Sequence, residues 1–284
     1  MDLGVVSFNT EYMIRADDLA KACEERGFES LWFPEHTHIP ASRDTPFPGG
    51  GDLPKQYSHM SDPFVSCASA AAVTETLKLG TGICLVIQHD PIVLAKTVST
   101  LDRLSDGRFL FGIGAGWNAE EMEHHGTPFE KRWKVLEERL EAMKLLWTEE
   151  EATYHGDFVN FDRVLSYPKP VQRPYPPIIL GTFGSHWGRQ RVADYCDGWI
   201  PVGAFHGDQL NDHVLDLNKR LEENGRSPGS VELSMFDVME TPEENLLRFR
   251  DMGCFKRAIT AIPIADRDTV LPFLDRYAEI AEKL

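Results

Sequence analysis

The sequence predicts a closed (β/α)8 barrel, a TIM barrel, and three observations lead there. Short apolar strands alternate with helical patterns eight times, which implies a parallel sheet. The strands are apolar along their whole length rather than alternately, as befits strands covered on both faces. Glycines gather where several strands end, the rim on which such barrels carry their ligands. Eight units in 284 residues suit a closed barrel better than an open sheet, and residues 1–284 are read as one domain, with inserted loops at the C-terminal face.

Asp2 to Phe8 is the first strand, and Arg15 to Arg26 the first helix, with Leu19, Ala20 and Cys23 inward and Gly27 as its stop. Ser30 to Pro34 is strand two, ending at Glu35-His36. A loop rich in proline and glycine runs from Thr37 to Ser61; connections this long are usually functional. Asp62-Pro63 opens helix two as N-cap and first-turn proline. The run Leu77 to Ile87 is strand three, and Pro91 starts a helix on which Leu94, Val98 and Leu101 share one face. Asp106-Gly107 turns the chain into strand four, Arg108 to Ile113, which runs into Gly114-Ala115-Gly116.

Asn118 to Trp147 reads as helical with a break near Gly126-Thr127-Pro128, and Glu149 to Pro177 as an excursion of weak periodicity. Ile178 to Leu180 is strand five, followed by a glycine-rich turn and a helix to Tyr195. Gly198 to Val202, Val231 to Val238 and Lys256 to Ile262 complete the strands. Helices over Gln209 to Asn224, Pro242 to Met252 and Asp268 to Leu284 complete the alternation.

Bulk properties narrow the function. A formal charge of -16 argues against nucleic acid and anionic membrane as partners. Five cysteines without a CxxC pair fit reduced thiols. No apolar run approaches the ~18 residues of a membrane span. The expectation is a cytoplasmic protein acting on a small-molecule substrate.

The barrel rule selects the residues at strand ends. His36, directly after strand two, is the strongest acid/base candidate, because imidazole exchanges protons near neutral pH; Glu35 beside it is read as tuning or orienting it. Gly82, Ile83 and Trp199 lie within strands and could face the mouth. Gly114, Ala115, Gly116 and Asn118 follow strand four. Gly181, Thr182, Phe183 and Gly184 run into a helix, where free N–H groups favour a phosphate, with His186, Arg189 and Arg191 as nearby positive charge. His36 and His38 invite a metal reading, but no third ligand stands at a recognised spacing, so no metal is assigned. Gly112-x-Gly114-x-Gly116 lacks the spacing of a dinucleotide loop. Walker A, GxSxG, HExxH and EF-hand patterns are absent.

Taken together, several stretches resemble the bacterial luciferase-like superfamily of flavin- and deazaflavin-dependent oxidoreductases. They are Trp32-Phe33-Pro34-Glu35-His36, Leu79-Gly80-Thr81-Gly82-Ile83 with His89-Asp90-Pro91, Leu101 to Phe109, Gly112 to Trp117 and Ala193 to Trp199. Glu35-His36-Thr37-His38-Ile39-Pro40 looks most like the members that use coenzyme F420. The resemblance implies that His36 stands beside the reactive ring. It also implies that Gly82-Ile83 forms a non-prolyl cis peptide backing that ring, and that Gly181 to Ser185 binds phosphate. Luciferases that bind FMN carry an arginine where Ala115 stands here, and the sugar-phosphate dehydrogenases of the deazaflavin branch carry a glutamate near Trp117. The expected function is hydride transfer between F420 and a small organic substrate. The alternatives are an FMN-dependent monooxygenase or a deazaflavin carrier without turnover. A homodimer is expected because dimers are common among the look-alikes.

Overall fold

The computed structural model describes residues 1–201 and 209–284. Eight parallel strands close into a barrel. In chain order they are β1 (Asp2–Val6), β2 (Ser30–Phe33), β3 (Lys78–Thr81), β5 (Phe109–Gly114), β8 (Ile178–Thr182), β9 (Gly198–Pro201), β10 (Glu232–Phe236) and β11 (Arg257–Ala261). β1 pairs with β11, and β3 with β5, so no edge is left open. The predicted last residue of the sixth strand, Val202, lies outside the described residues. The helices are α1 (Ala16–Glu25), α2 (Pro63–Ala71), α3 (Pro91–Leu104), α4 (Ala119–His124), α5 (Arg132–Thr148), α6 (His186–Tyr195), α7 (Leu210–Glu223), α8 (Glu243–Met252) and α9 (Arg267–Ala281).

Successive side chains on a strand point to opposite faces, and here this parity builds two cores. Val6, Trp32, Leu110, Ile179, Ile200, Phe236, Ile259 and Ala261 fill the barrel itself. Their neighbours Val5, Leu31, Phe33, Phe109, Phe111, Ile113, Leu180 and Trp199 pack outward against the helices. Gly80 and Gly112 leave the space that the Trp32 ring occupies, and the indole N–H donates to Ser30 Oγ at 2.8 Å.

Two elements differ from the sequence reading. The apolar run Leu77 to Ile87 is not one strand. It breaks at a cis Gly82–Ile83 peptide, resumes as β4 (Cys84–Leu85) beside β5, and passes into a 3-10 turn at Val86–Gln88. Burial of this turn, not strand pairing, accounts for its apolar residues. The excursion Glu149 to Pro177 carries an antiparallel hairpin, β6 (Ala152–His155) with β7 (Asn160–Val164), too exposed to leave an apolar pattern. The break near Gly126 is found, between α4 and α5.

At the N-terminal ends of the strands, a charge cluster ties the barrel floor. Arg257 is 1% exposed and donates to both Glu29 carboxylate oxygens, at 2.9 and 3.0 Å, and to Ser234 Oγ at 2.9 Å. It also pairs with Glu232, while Lys78 reaches Glu29 at 2.9 Å. Burial opposes the Glu29 charge, but the guanidinium outweighs it and holds the carboxyl down at about 2.

Candidate active site

β2 delivers Pro34-Glu35-His36 to the C-terminal rim. His36 is partly buried; its Nδ1 lies 2.7 Å from Glu121 Oε2. An ionised carboxylate only accepts, so Nδ1 carries the proton and Nε2 is left to exchange one. Glu121 Oε1 also accepts from the Thr37 N–H at 3.2 Å. Glu121 comes from the first turn of α4, whose N-cap, Asn118, accepts the Glu121 N–H at 3.0 Å. The helix start thus favours the acid electrostatically and fixes its backbone. Among the described residues, Nε2 of His36 has no hydrogen-bond partner.

Glu35 does not orient His36. It turns the other way, accepting the Leu85 N–H at 2.6 Å and meeting His89 Nε2 at 2.8 Å. Burial works against a charge on His89, but the bond to Glu35 and its negative charge raise the imidazole pKa overall. Glu35, His89 and Cys84 are the nearest approach to a metal-ligand group among the described residues. Burial, followed by the Glu35 charge, pushes the Cys84 thiol up, away from the thiolate a metal requires. The arrangement serves to pin the segment after the cis peptide.

Aromatic rings enclose His36. Tyr57 and Trp117 each stand 5.6 Å from it, centroid to centroid. Phe47 contacts both, at 5.2 and 6.0 Å, and Phe8 stands 5.3 Å from Tyr57. Phe47 and Tyr57 belong to the long loop after His36, which is fastened rather than loose. Thr45 donates its N–H to Glu120 at 2.7 Å and its hydroxyl to the same carboxylate at 2.5 Å, and Ser61 N–H donates to Asn9 O at 3.1 Å.

The floor of the mouth is Ile83, half-buried on top of the barrel's apolar filling. Gly114 and Gly181 are where a Cβ would strike the Ile83 side chain, so both glycines make room for Ile83. Gly82 faces Phe236 and Trp32 in the same way. Gly116 adopts φ 70°, turning the chain toward α4.

Two residues expected to hold the cofactor, Trp199 and Ala115, face the helices. Trp199 has outward parity on β9 and packs under the helices, while its neighbour Ile200 enters the barrel. Ala115 likewise has outward parity and is 3% exposed. The side-chain oxygen of Asn118 is engaged in the α4 cap. Thr182, Phe183 and Gly184 do lead into the start of α6, capped by Ser185 Oγ on the Gly188 N–H at 3.0 Å. The nearby cations are committed: Arg189 pairs with Asp216 at 2.6 Å and with the Gly184 carbonyl, Arg191 lies 4.2 Å from the Trp133 ring, and His186 meets Arg220 at 2.8 Å.

The luciferase-like monooxygenase family profile matches residues 4–239. The chain belongs to the luciferase-like monooxygenase family. Its relatives in this family divide over cofactor. An uncharacterized protein of Mycobacterium tuberculosis (strain ATCC 25618 / H37Rv) is 37% identical over 281 residues, spanning 98% of each chain. An FMNH(2)-dependent dimethylsulfone monooxygenase of Pseudomonas putida is 29% identical over 176 residues, 61% of this chain and 47% of that one. The solved structure of an F420-dependent secondary alcohol dehydrogenase in complex with an F420-acetone adduct superimposes with a TM-score of 0.74. It has 19% identity and covers 99% of this chain and 98% of the other. Family membership makes this luciferase-like protein an oxidoreductase with the barrel fold, and no helix among its described residues is long and apolar enough to cross a membrane.

Proposed function

We propose that this luciferase-like protein transfers a hydride between coenzyme F420 and a small organic substrate. The observation that carries the proposal is the Glu121–His36 pair at the C-terminal rim, which leaves His36 Nε2 without a hydrogen-bond partner among the described residues. That is the equipment for proton exchange beside a flat, apolar surface, and the resemblance of the Glu35 to Pro40 stretch to F420-using members points to the deazaflavin.

The residues fit a flat ring bearing a phosphate. Ile83 offers an apolar face, kept in place by Gly114 and Gly181. The first backbone N–H groups of α6, after the Gly181 to Ser185 turn, suit the phosphate. Bound F420 supplies a two-electron hydride carrier. His36 Nε2 would give or take the proton that accompanies the hydride. Glu121 keeps the imidazole in one tautomer and orientation and stabilises it when it is protonated, as the buried acid of a catalytic triad does. Tyr57, Trp117 and Phe47 exclude water around the transfer.

The FMN-dependent monooxygenase is the second reading, favoured by the 29% identical FMNH(2)-dependent relative. An oxygen electrode separates the two. With reduced FMN and a broad panel of substrates, oxygen uptake should not exceed that of free reduced flavin. With reduced F420 under nitrogen, substrate-dependent reoxidation should appear. Substrate-coupled oxygen uptake with FMN would assign the monooxygenase reaction instead.

A further inference from the structure

A groove of about 620 Å³ opens within the loop between His36 and α2, and its walls suggest what the catalytic mouth receives. Its lining is mixed polar and apolar, with Ile39, Pro46, Phe47 and Leu53 among the apolar residues, and several prolines stiffen it before any ligand arrives. Phe47 belongs to two places at once. It lines this groove, and its other contacts are Tyr57 and Trp117, the two rings against His36. Gly49 lies so close to the Phe47 ring that a Cβ there would meet ring carbon Cε1 at 2.6 Å. Phe47 and the Tyr57 and Trp117 rings behind it therefore connect the groove wall to the His36 imidazole.

The groove also carries charge of one dominant sign. Arg43 and Lys55 line it against one acid, Asp52. Lys55 lies 4.8 Å from the Tyr12 ring. Arg43 is half-buried and, among the described residues, forms no ion pair or hydrogen bond, although its field reaches Glu120. Its backbone sits at φ 59°, in the left-handed region that a non-glycine residue occupies only where its surroundings hold it. A guanidinium without an ion pair or hydrogen bond among the described residues, on the wall of a groove that also offers apolar side chains and on a chain of charge -16, is the complement of an anionic end on an apolar body.

We propose that the groove is the substrate subsite and that it takes a molecule with an apolar body and one carboxylate terminus. Arg43 holds the carboxylate while the far end of the molecule passes Phe47 to reach His36. The assignment rests on the barrel mouth being the catalytic site.

The test is calorimetric titration of the whole protein, without cofactor, with 4-phenylbutyrate and with 4-phenylbutanol, which share a body and differ in charge. The acid should bind at least tenfold more tightly. Arg43→Gln should erase that preference and leave the alcohol unchanged, and Phe47→Ala should weaken both. Equal binding of the two probes, an undiminished preference in the Arg43→Gln protein, or displacement of the acid by added F420 would each overturn the assignment. If F420 does not bind but the charge preference and its Arg43 dependence are present, the F420 reading fails while the groove stands as the carboxylate-binding subsite of the barrel mouth.

Discussion

The His36→Ala protein should turn over roughly 10²–10⁴-fold more slowly than the parent, with its affinity for F420 essentially unchanged. The size follows from what is removed. In the proposed reaction Nε2 of His36 exchanges the proton, whereas the floor and phosphate turn proposed for the cofactor come from the ends of β3, β5 and β8. Steady-state kinetics and a cofactor titration on the same preparation check the two halves together. Glu121→Gln keeps the shape but removes the charge that fixes the tautomer, so it should fall between parent and His36→Ala. Full turnover by His36→Ala with intact cofactor binding would remove His36 from the chemistry.

The second large effect is on stability. Arg257→Ala leaves Glu29 and Glu232 facing one another on the barrel floor without their shared cation. Truncating one partner of a buried pair costs about 3–5 kcal/mol where the other charge is left uncompensated; here Lys78 still reaches Glu29 and Glu232 is partly exposed, so the loss should fall toward the lower end of that range. Because the Glu29 carboxyl is held far below its ordinary value, its share of the stability is present at neutral pH, above the unfolded pKa. That share is lost progressively as the medium is acidified from the ordinary carboxylate range through about 2. Thermal melting at neutral pH should therefore show a drop on the order of 10 °C, with turnover at low temperature close to the parent's. The cluster sits at the N-terminal ends of β2, β3, β10 and β11, opposite the catalytic rim. An unchanged melting temperature would mean that the floor is held by packing alone.

These two sites show how much of the molecule its sequence discloses. The barrel was legible because its eight strands are largely apolar and several helices open on a capping side chain, such as Asp62 on the Val65 N–H and Asp90 on the Ile92 and Val93 N–H groups. His36 was legible from its place after β2. Its partner was not. Glu121 lies 85 residues away among other acids on α4, and in sequence that turn reads as a solvated face. Glu35 was assigned to His36 because the two are adjacent, yet consecutive residues of an extended chain point in opposite directions, and Glu35 indeed faces Leu85 and His89. The same parity carries Trp199 and Ala115 to the helix side. Counting inward and outward positions from Trp32, Leu110 and Ile200 would have corrected both. The aromatic enclosure could not be counted that way, because Phe47 and Tyr57 come from a loop with no period to read.

The measurement that tests the central claim most directly is a side-by-side spectroscopic titration of the apoprotein with F420 and with FMN. The account predicts micromolar or tighter binding of F420 and no comparable binding of FMN. A preference for FMN would contradict it and make the Glu121–His36 pair part of a flavin monooxygenase.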